Sequence, residues 1–249
     1  MRLTAHCFAV TGLAYATPWC VNSGFVAGEE TTLIVDAGGN TLAAQTIHGY
    51  ATAVRPANKL ILINTEKHFD HIGGNGFFRD LGIEIWGHPE LARTQEEFQA
   101  EIDEINSAIR DPARRQRNEA RAFFYGTRLA LPEHSVHTSQ SFSLGGLNAE
   151  VLFTPGHTRT NLSVWVPREG VLFTGDCVVR EYLPNLDAGA PADWQLWLES
   201  LDRIQALNPE FVVSGHGPVA RRADIPSTLD AVRGILREAL RRGCSPTAP

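Results

Sequence analysis

The sequence predicts an α/β protein folded as a four-layer αββα sandwich. Strand-like runs rich in Val, Ile, Leu and Phe alternate with helix-like runs, and the alternation occurs twice along the chain. No Pro-, Gly- or Ser-rich linker separates the two halves, so residues 1–249 read as a single domain. A chain of 249 residues is long enough to bury a core without staples.

The first half opens with short strands at 3–11, 22–27 and 32–36, each bounded by Gly, Glu or Asp. Gly38-Gly39-Asn40 ends the third. A helix is expected over 41–54, stopped by Pro56, and residues 60–64 form a buried strand. Residues 65–76 are polar and glycine-rich. Helix formers dominate 89–128, which reads as a helical insertion. There Phe98, Ile102, Ile105 and Ile109 recur at helical spacing, Pro112 interrupts, and 113–125 reads as a second helix. Packing by that stripe is the plain reading of the insertion; a lid over a substrate pocket is the functional one. Strands return at 151–154, 162–166, 171–174 and 211–213, with helices over 194–207 and 225–242.

A net charge of −6 argues against nucleic acid as a partner. No apolar run approaches the roughly 20 residues of a membrane helix. Polar residues interrupt the N-terminal apolar stretch, so it reads as strand rather than secretory signal, which places the protein in the cytoplasm. Cys7, Cys20, Cys177 and Cys244 lack C-x-x-C spacing and read as free, mostly buried thiols.

Four polar segments each follow an apolar strand. They are Glu66-Lys67-His68-Phe69-Asp70-His71, Pro155-Gly156-His157-Thr158, Thr174-Gly175-Asp176 and Ser214-Gly215-His216-Gly217. Strand-end loops are where a rigid sheet presents chemistry. One such histidine would more often be structural. Together, Glu66, His68, Asp70, His71, His157, Asp176 and His216 make seven imidazole and carboxylate donors without a thiolate. That set suits Zn, Fe or Mn and is too rich in nitrogen for Ca or Mg. Seven donors exceed what one catalytic zinc takes and suffice for two ions.

These segments resemble the metallo-β-lactamase superfamily of αββα metallohydrolases. The likeness rests on Asn64–Asn75 (NTEKHFDHIGGN), Thr154-Pro155-Gly156-His157-Thr158, Leu172-Phe173-Thr174-Gly175-Asp176 and Gly215-His216-Gly217-Pro218, and runs over nearly the whole chain. It departs at Glu66, which replaces the first histidine of His-x-His-x-Asp-His. The resemblance implies that Glu66, His68 and His157 hold one ion, that Asp70, His71 and His216 hold a second, and that Asp176 bridges. It implies a bridging hydroxide that attacks a carbonyl, with Asp70 as the catalytic residue that orients it and relays its proton. Two divalent ions are therefore the expected cofactors, zinc first, with Mn or Fe better tolerated than at an all-histidine site because of the anionic Glu66.

Arg180, Tyr182, Asn185 and Asn75 lie close to these motifs and are candidates to line a substrate pocket. Cys177 would face away from Asp176 on a strand and belongs to the core; Trp194 and Trp197 read as core as well. His88, His134 and His137 carry no functional assignment. The partner is a small molecule, and the oligomeric state is open.

The family's glutathione-thioester hydrolases carry a larger C-terminal helical part, whereas one helix follows His216 here. A small ester, thioester or lactone therefore leads, with β-lactam turnover as a side activity. The alternatives are a β-lactamase proper, an iron-dependent oxygenase on the same fold, or a metal-binding protein without turnover.

Overall fold

A computed structural model describes residues 1–13, 20–117 and 119–245. The first half contains β1 (Cys7–Leu13), β2 (Val21–Ala27), β3 (Thr31–Val35), α1 (Thr41–Val54), β4 (Lys59–Ile63), α2 (Phe69–Ile72), α3 (Asn75–Asp80) and β5 (Glu84–Gly87). The insertion follows as α4 (Gln95–Ala108), α5 (Pro112–Gln116) and α6 (Glu119–Phe123). The second half contains β6 (His134–Ser135), β7 (Gln140–Ser143), β8 (Asn148–Phe153), β9 (Leu162–Val166), β10 (Val171–Val179), α7 (Pro191–Ala206), β11 (Phe211–His216), β12 (Ala220–Arg221) and α8 (Ile225–Arg242). No helix among the described residues is long and apolar enough to cross a membrane.

The strands form a curled sheet in the order β6-β5-β4-β3-β2-β11-β10-β9-β8-β7. Side chains alternate between its faces, as the two-residue period of a strand requires. Leu33, Val35, Ile61 and Ile63 point to a central core shared with Leu162, Val164, Val171, Phe173 and Val213 from the far half. Their sequence neighbours Ile34 and Leu62 point the other way, against Ala44, Ile47 and Ala51 of α1. Leu172 and Val212 point outward beneath Trp197, Leu201, Leu229 and Leu236 of α7 and α8. Helix, half-sheet, half-sheet and helix are thus four layers.

The two halves meet at a narrow seam. β2 and β11 share one register pair, Val21 with His216, and Asn22 Nδ2 donates to the carbonyls of Ser214 and Gly217. A net hydrogen bond stabilises by about 0.5–1.5 kcal/mol, whereas each buried Val, Leu, Ile or Phe contributes about 1.5–3 kcal/mol. The apolar layer therefore joins the halves far more strongly than the ladder does, leaving the seam's polar groups to build a site.

Several expectations are corrected. The helix expected over 113–125 is two short ones. Asp111 caps the first through Ala113 N–H, with Pro112 at its first turn, and that helix buries no residue, so nothing sustains it past Arg117. Residue 118 lies outside the described residues, as does the side chain of Ile105 in the expected stripe. The strand expected over 171–174 runs on to Val179, and the one expected over 211–213 runs on to His216. Both continue because they pair in parallel beyond Gly175, through an irregular register, and because Cys177, Val178 and Val179 are buried. Asp176 and His216 therefore stand on strands rather than in loops.

Candidate metal centre

The parallel pairs β3–β4 and β10–β11 direct their carboxyl ends to the seam, the position at which open α/β sheets place ligands. Asp36 follows β3, Asn64 to His71 follow β4, Asp176 lies inside β10 past Gly175, and His216 closes β11. His157 arrives on the loop after β8. Helix α2 sorts its four residues by face. Phe69 and Ile72, three apart, pack with Phe98, Ile102 and Phe124, while Asp70 and His71 turn to the seam.

The seven candidate donors converge. Their atoms form three groups, Glu66–His68–His157, Asp70–His71–His216 and Glu66–His71–Asp176, each lying within 4.8 Å of one another. Asp176 Oδ2 is 3.2 Å from His216 Nε2 and 3.6 Å from His157 Nε2, and its Oδ1 is 3.2 Å from His71 Nε2. It touches a histidine of each of the first two groups. Asp70 Oδ2 is 3.3 Å from His216 Nε2.

Backbone and carboxylate acceptors fix the imidazoles. His157 Nδ1 donates to the carbonyl of Asn185 at 3.1 Å, and His216 Nδ1 to that of Cys20 at 2.8 Å. A carbonyl only accepts, so each Nδ1 carries a proton and each Nε2 is the ring atom turned inward. His71 Nδ1 donates to Asp36 Oδ2 at 2.9 Å, with the same result. His68 is reversed: its Nδ1 faces inward, 2.9 Å from Glu66 Oε1 and 3.1 Å from His157 Nε2. Trp197 packs edge-on against His157, with ring centroids 5.7 Å apart.

Asp36 was not legible as a functional residue in the sequence. It is buried, adopts a left-handed φ of 61°, and accepts from Thr65 N and Thr65 Oγ1 at 2.7 Å as well as from His71. The available signal was an acidic residue ending a strand before Ala37-Gly38-Gly39, since Asp tolerates that conformation better than most residues.

The electrostatics are those of a charge cage. Burial drives Glu66 upward, but His68, His71 and His157 outweigh it and hold the carboxyl at about 2. Burial would lower His68, yet Glu66 raises it to about 9. His71 and His216 are likewise raised well above the usual histidine range against the effect of burial, mainly by Asp36 and by Asp176 respectively. Burial keeps His157 low. Asp176 is held well below the usual range by His216 and His71 despite its burial.

Glu66 Oε2, His71 Nε2 and Asp176 Oδ1 are buried without a hydrogen bond of their own. Leaving one buried polar atom unsatisfied costs about 1–3 kcal/mol. Three that face one another in a nitrogen- and carboxylate-rich cage fit the atoms that a divalent cation takes up.

A cavity of about 260 Å³ opens over the cage, bordered by His68, Asp70, Asp176 and His216 on its floor and by Glu101, Glu104, Tyr182, Leu183 and Asn185 around it. Tyr182 and Asn185 are thus on its wall. Asn75 is not: it is buried, exchanging hydrogen bonds with Asn64 and donating to the Ala130 carbonyl. Arg180 turns away to the Val219 carbonyl at 3.0 Å and Asp224 at 3.5 Å. Cys177 lies in the outer core beside Trp194 and Trp197.

This fold and this cage define a class, the αββα proteins with a histidine–carboxylate metal centre. The family model of the metallo-beta-lactamase superfamily matches residues 16–216, and the chain belongs to that superfamily. A hydroxyacylglutathione hydrolase from Synechococcus sp. (strain JA-3-3Ab) is 27% identical over 206 residues, covering 78% of this chain and 66% of that protein. A metallo-beta-lactamase type 2 from Bacteroides fragilis is 33% identical over 92 residues, covering 36% of this chain and 37% of that one. With a beta-lactamase-like protein 2 homolog from Caenorhabditis elegans the match is 33% identical over 86 residues, 34% of this chain and 28% of the relative, so the chain spans well under two thirds of several relatives it matches. Among solved structures, a metallo-beta-lactamase family protein from Thermus thermophilus superposes with a TM-score of 0.70 at 22% identity, covering 97% of this chain and 82% of that one, a likeness of fold.

Proposed function

We propose that this protein is a metal-dependent hydrolase that cleaves the carbonyl bond of a small ester, thioester or lactone. The observation that carries the reading is the convergence of seven donors, three of whose buried atoms face one another without a hydrogen bond. In this reading Glu66, His68 and His157 hold one divalent ion, Asp70, His71 and His216 a second, and Asp176 reaches both. When bound, such ions supply Lewis acidity and lower the pKa of water from 15.7 to roughly 7.

The chain's own residues do the rest. Asp70 borders the cavity and lies beside His216, so its carboxylate is placed to accept a proton and pass it toward a leaving group. Asp36 and the carbonyls of Asn185 and Cys20 keep three histidines in one tautomer, so no reorientation is needed before substrate arrives. Tyr182 and Leu183 give the cavity an apolar side.

The charge of the cavity favours a small substrate over a glutathione thioester. Glu101 and Glu104 stand on its wall, and no Lys or Arg among the described residues lines it. A carboxylate-bearing substrate would meet Glu101 and Glu104 and find no Lys or Arg on the wall to pair with, leaving only the bound ions as cations. A β-lactam, which carries such a carboxylate, is disfavoured as the principal substrate on the same ground.

A second reading, an iron-dependent oxygenase, is favoured by the carboxylate-rich donor set of Glu66, Asp70 and Asp176. One preparation tests both. Metal-loaded protein is assayed on paired neutral and anionic esters, thioesters and lactones, with oxygen uptake recorded. Hydrolysis of a neutral substrate, lost on chelation, supports the hydrolase. Oxygen uptake with stoichiometric iron and no hydrolysis supports the oxygenase.

A further inference from the structure

We propose that the Arg93–Glu101 ion pair of the helical insertion is a positioning device for the metal-ligand loop, making the insertion part of the metal centre rather than a cover beside it. The proposal rests on the reading of the seven donors as a metal site.

Two consecutive stretches of that loop are gripped at the backbone. Arg93 donates from its Nη1 to the carbonyl of Lys67 at 3.0 Å, between the ligands Glu66 and His68. Glu101 Oε2 accepts from the Phe69 N–H at 3.2 Å, between His68 and Asp70. The two side chains are joined to each other through Arg93 Nη2 and Glu101 Oε1. Arg93 is 8% exposed and Glu101 is 23% exposed, so water screens the pair poorly.

The local sequence sets the pair's separation. Thr94 Oγ1 accepts from Glu97 N–H at 3.1 Å while Glu97 accepts from Thr94 N–H at 2.8 Å, a reciprocal capping box that starts α4 immediately after Arg93. Glu101 then lies about two turns into the helix, on the flank of Phe98 and Ile102, which pack against Phe69 and Ile72 of α2. The same helix thus seats α2 by apolar contact and fixes the turn before it by charge-assisted hydrogen bonds, which are about twice as strong as neutral ones. Releasing either grip frees the peptide units that aim His68 and Asp70, while no ligand atom is itself removed.

The test is zinc binding. Metal-free wild type and the variants Glu101→Ala, Glu101→Gln, Arg93→Lys and Asp103→Ala are titrated with Zn²⁺ against a chromophoric chelator, and folding is checked by circular dichroism. Asp103 is exposed on the same helix and serves as control. Loss of a group that orients ligands typically costs about 10–100-fold in metal affinity, and Glu101→Ala is expected in that range. Glu101→Gln, which keeps an oxygen for Phe69 but loses the charge pairing, should fall between Glu101→Ala and wild type, and Arg93→Lys likewise. Asp103→Ala should bind as wild type does. A folded Glu101→Gln or Arg93→Lys with wild-type zinc affinity overturns the proposal even if stability drops, because loosening a pair that positions the ligand loop must weaken metal binding. Wild type that binds no zinc overturns the metal reading and the proposal together.

Discussion

Asp176 concentrates the chemistry of the site in one side chain. It is 7% exposed, touches three of the four candidate histidines, and leaves Oδ1 without a hydrogen bond. If the proposed two-ion hydrolase is right, Asp176→Ala abolishes nearly all hydrolysis and breaks the cooperation of the ions, measured as turnover and as zinc stoichiometry. Gly215 explains why Asp176 can stand there. A Cβ at Gly215 would collide with Asp176 Oδ1, so Gly215→Ala should disrupt metal binding though it alters no donor. Wild-type zinc affinity in Gly215→Ala would contradict that.

The raised histidines give a pH prediction with a definite sign. His68 goes from an ordinary 6.5 to about 9, so the stability it lends the metal-free protein is complete below about 6.5 and fades as pH rises through about 9. His71 and His216 shift in the same direction. Glu66 acts at the other end: its contribution is present above about 4.5 and is lost as pH falls toward about 2. Metal-free protein should therefore melt lower at about pH 9 than at about pH 6.5, and the loss should shrink in His68→Gln. Zinc must displace the His68 proton, so its binding should release protons and tighten across the same interval. A zinc affinity independent of pH there would contradict the cage.

At the scale of elements, α2 and the insertion act as one unit. Phe98 is buried against Phe69 and Ile72, and Phe98→Ala should cost about 3–5 kcal/mol of unfolding free energy. Zinc affinity should fall with it, because α2 carries Asp70 and His71; denaturant unfolding paired with zinc titration measures both. The sequence made α1 and α8 legible to the residue, since 41–54 and 225–242 are bounded by a cap or breaker. It did not show where β10 and β11 end. Gly175 and Gly215 read locally as turns, whereas parallel pairing carries the strands beyond them, and pairing is a tertiary fact. The short strands β5, β6, β7 and β12 carry no local signal for the same reason, being two to four residues long and held by neighbours. The apolar spacing of the insertion was visible, but its grip on the ligand loop was not, because hydrogen bonds to Lys67 and Phe69 involve backbone that no motif records.

At the scale of the whole molecule, two half-sheets pressed together by an apolar layer leave one polar seam, and the donors of both halves meet there. All seven donors could be named from four separated motifs because each combines His, Asp or Glu with the end of an apolar run. Asp36, which orients His71, and the loss of Asn75 and Arg180 from the cavity wall depended on how the strands close, which spacing along the chain does not encode. The central claim is that the seam holds two divalent ions. Its most direct measurement is elemental analysis of protein purified without chelator and then saturated with zinc, paired with the melting temperature before and after metal removal. Two equivalents of metal per chain, with a clear fall in melting temperature on removal, is the predicted result. Less than one equivalent at saturating zinc, with an unchanged melting temperature, would contradict it.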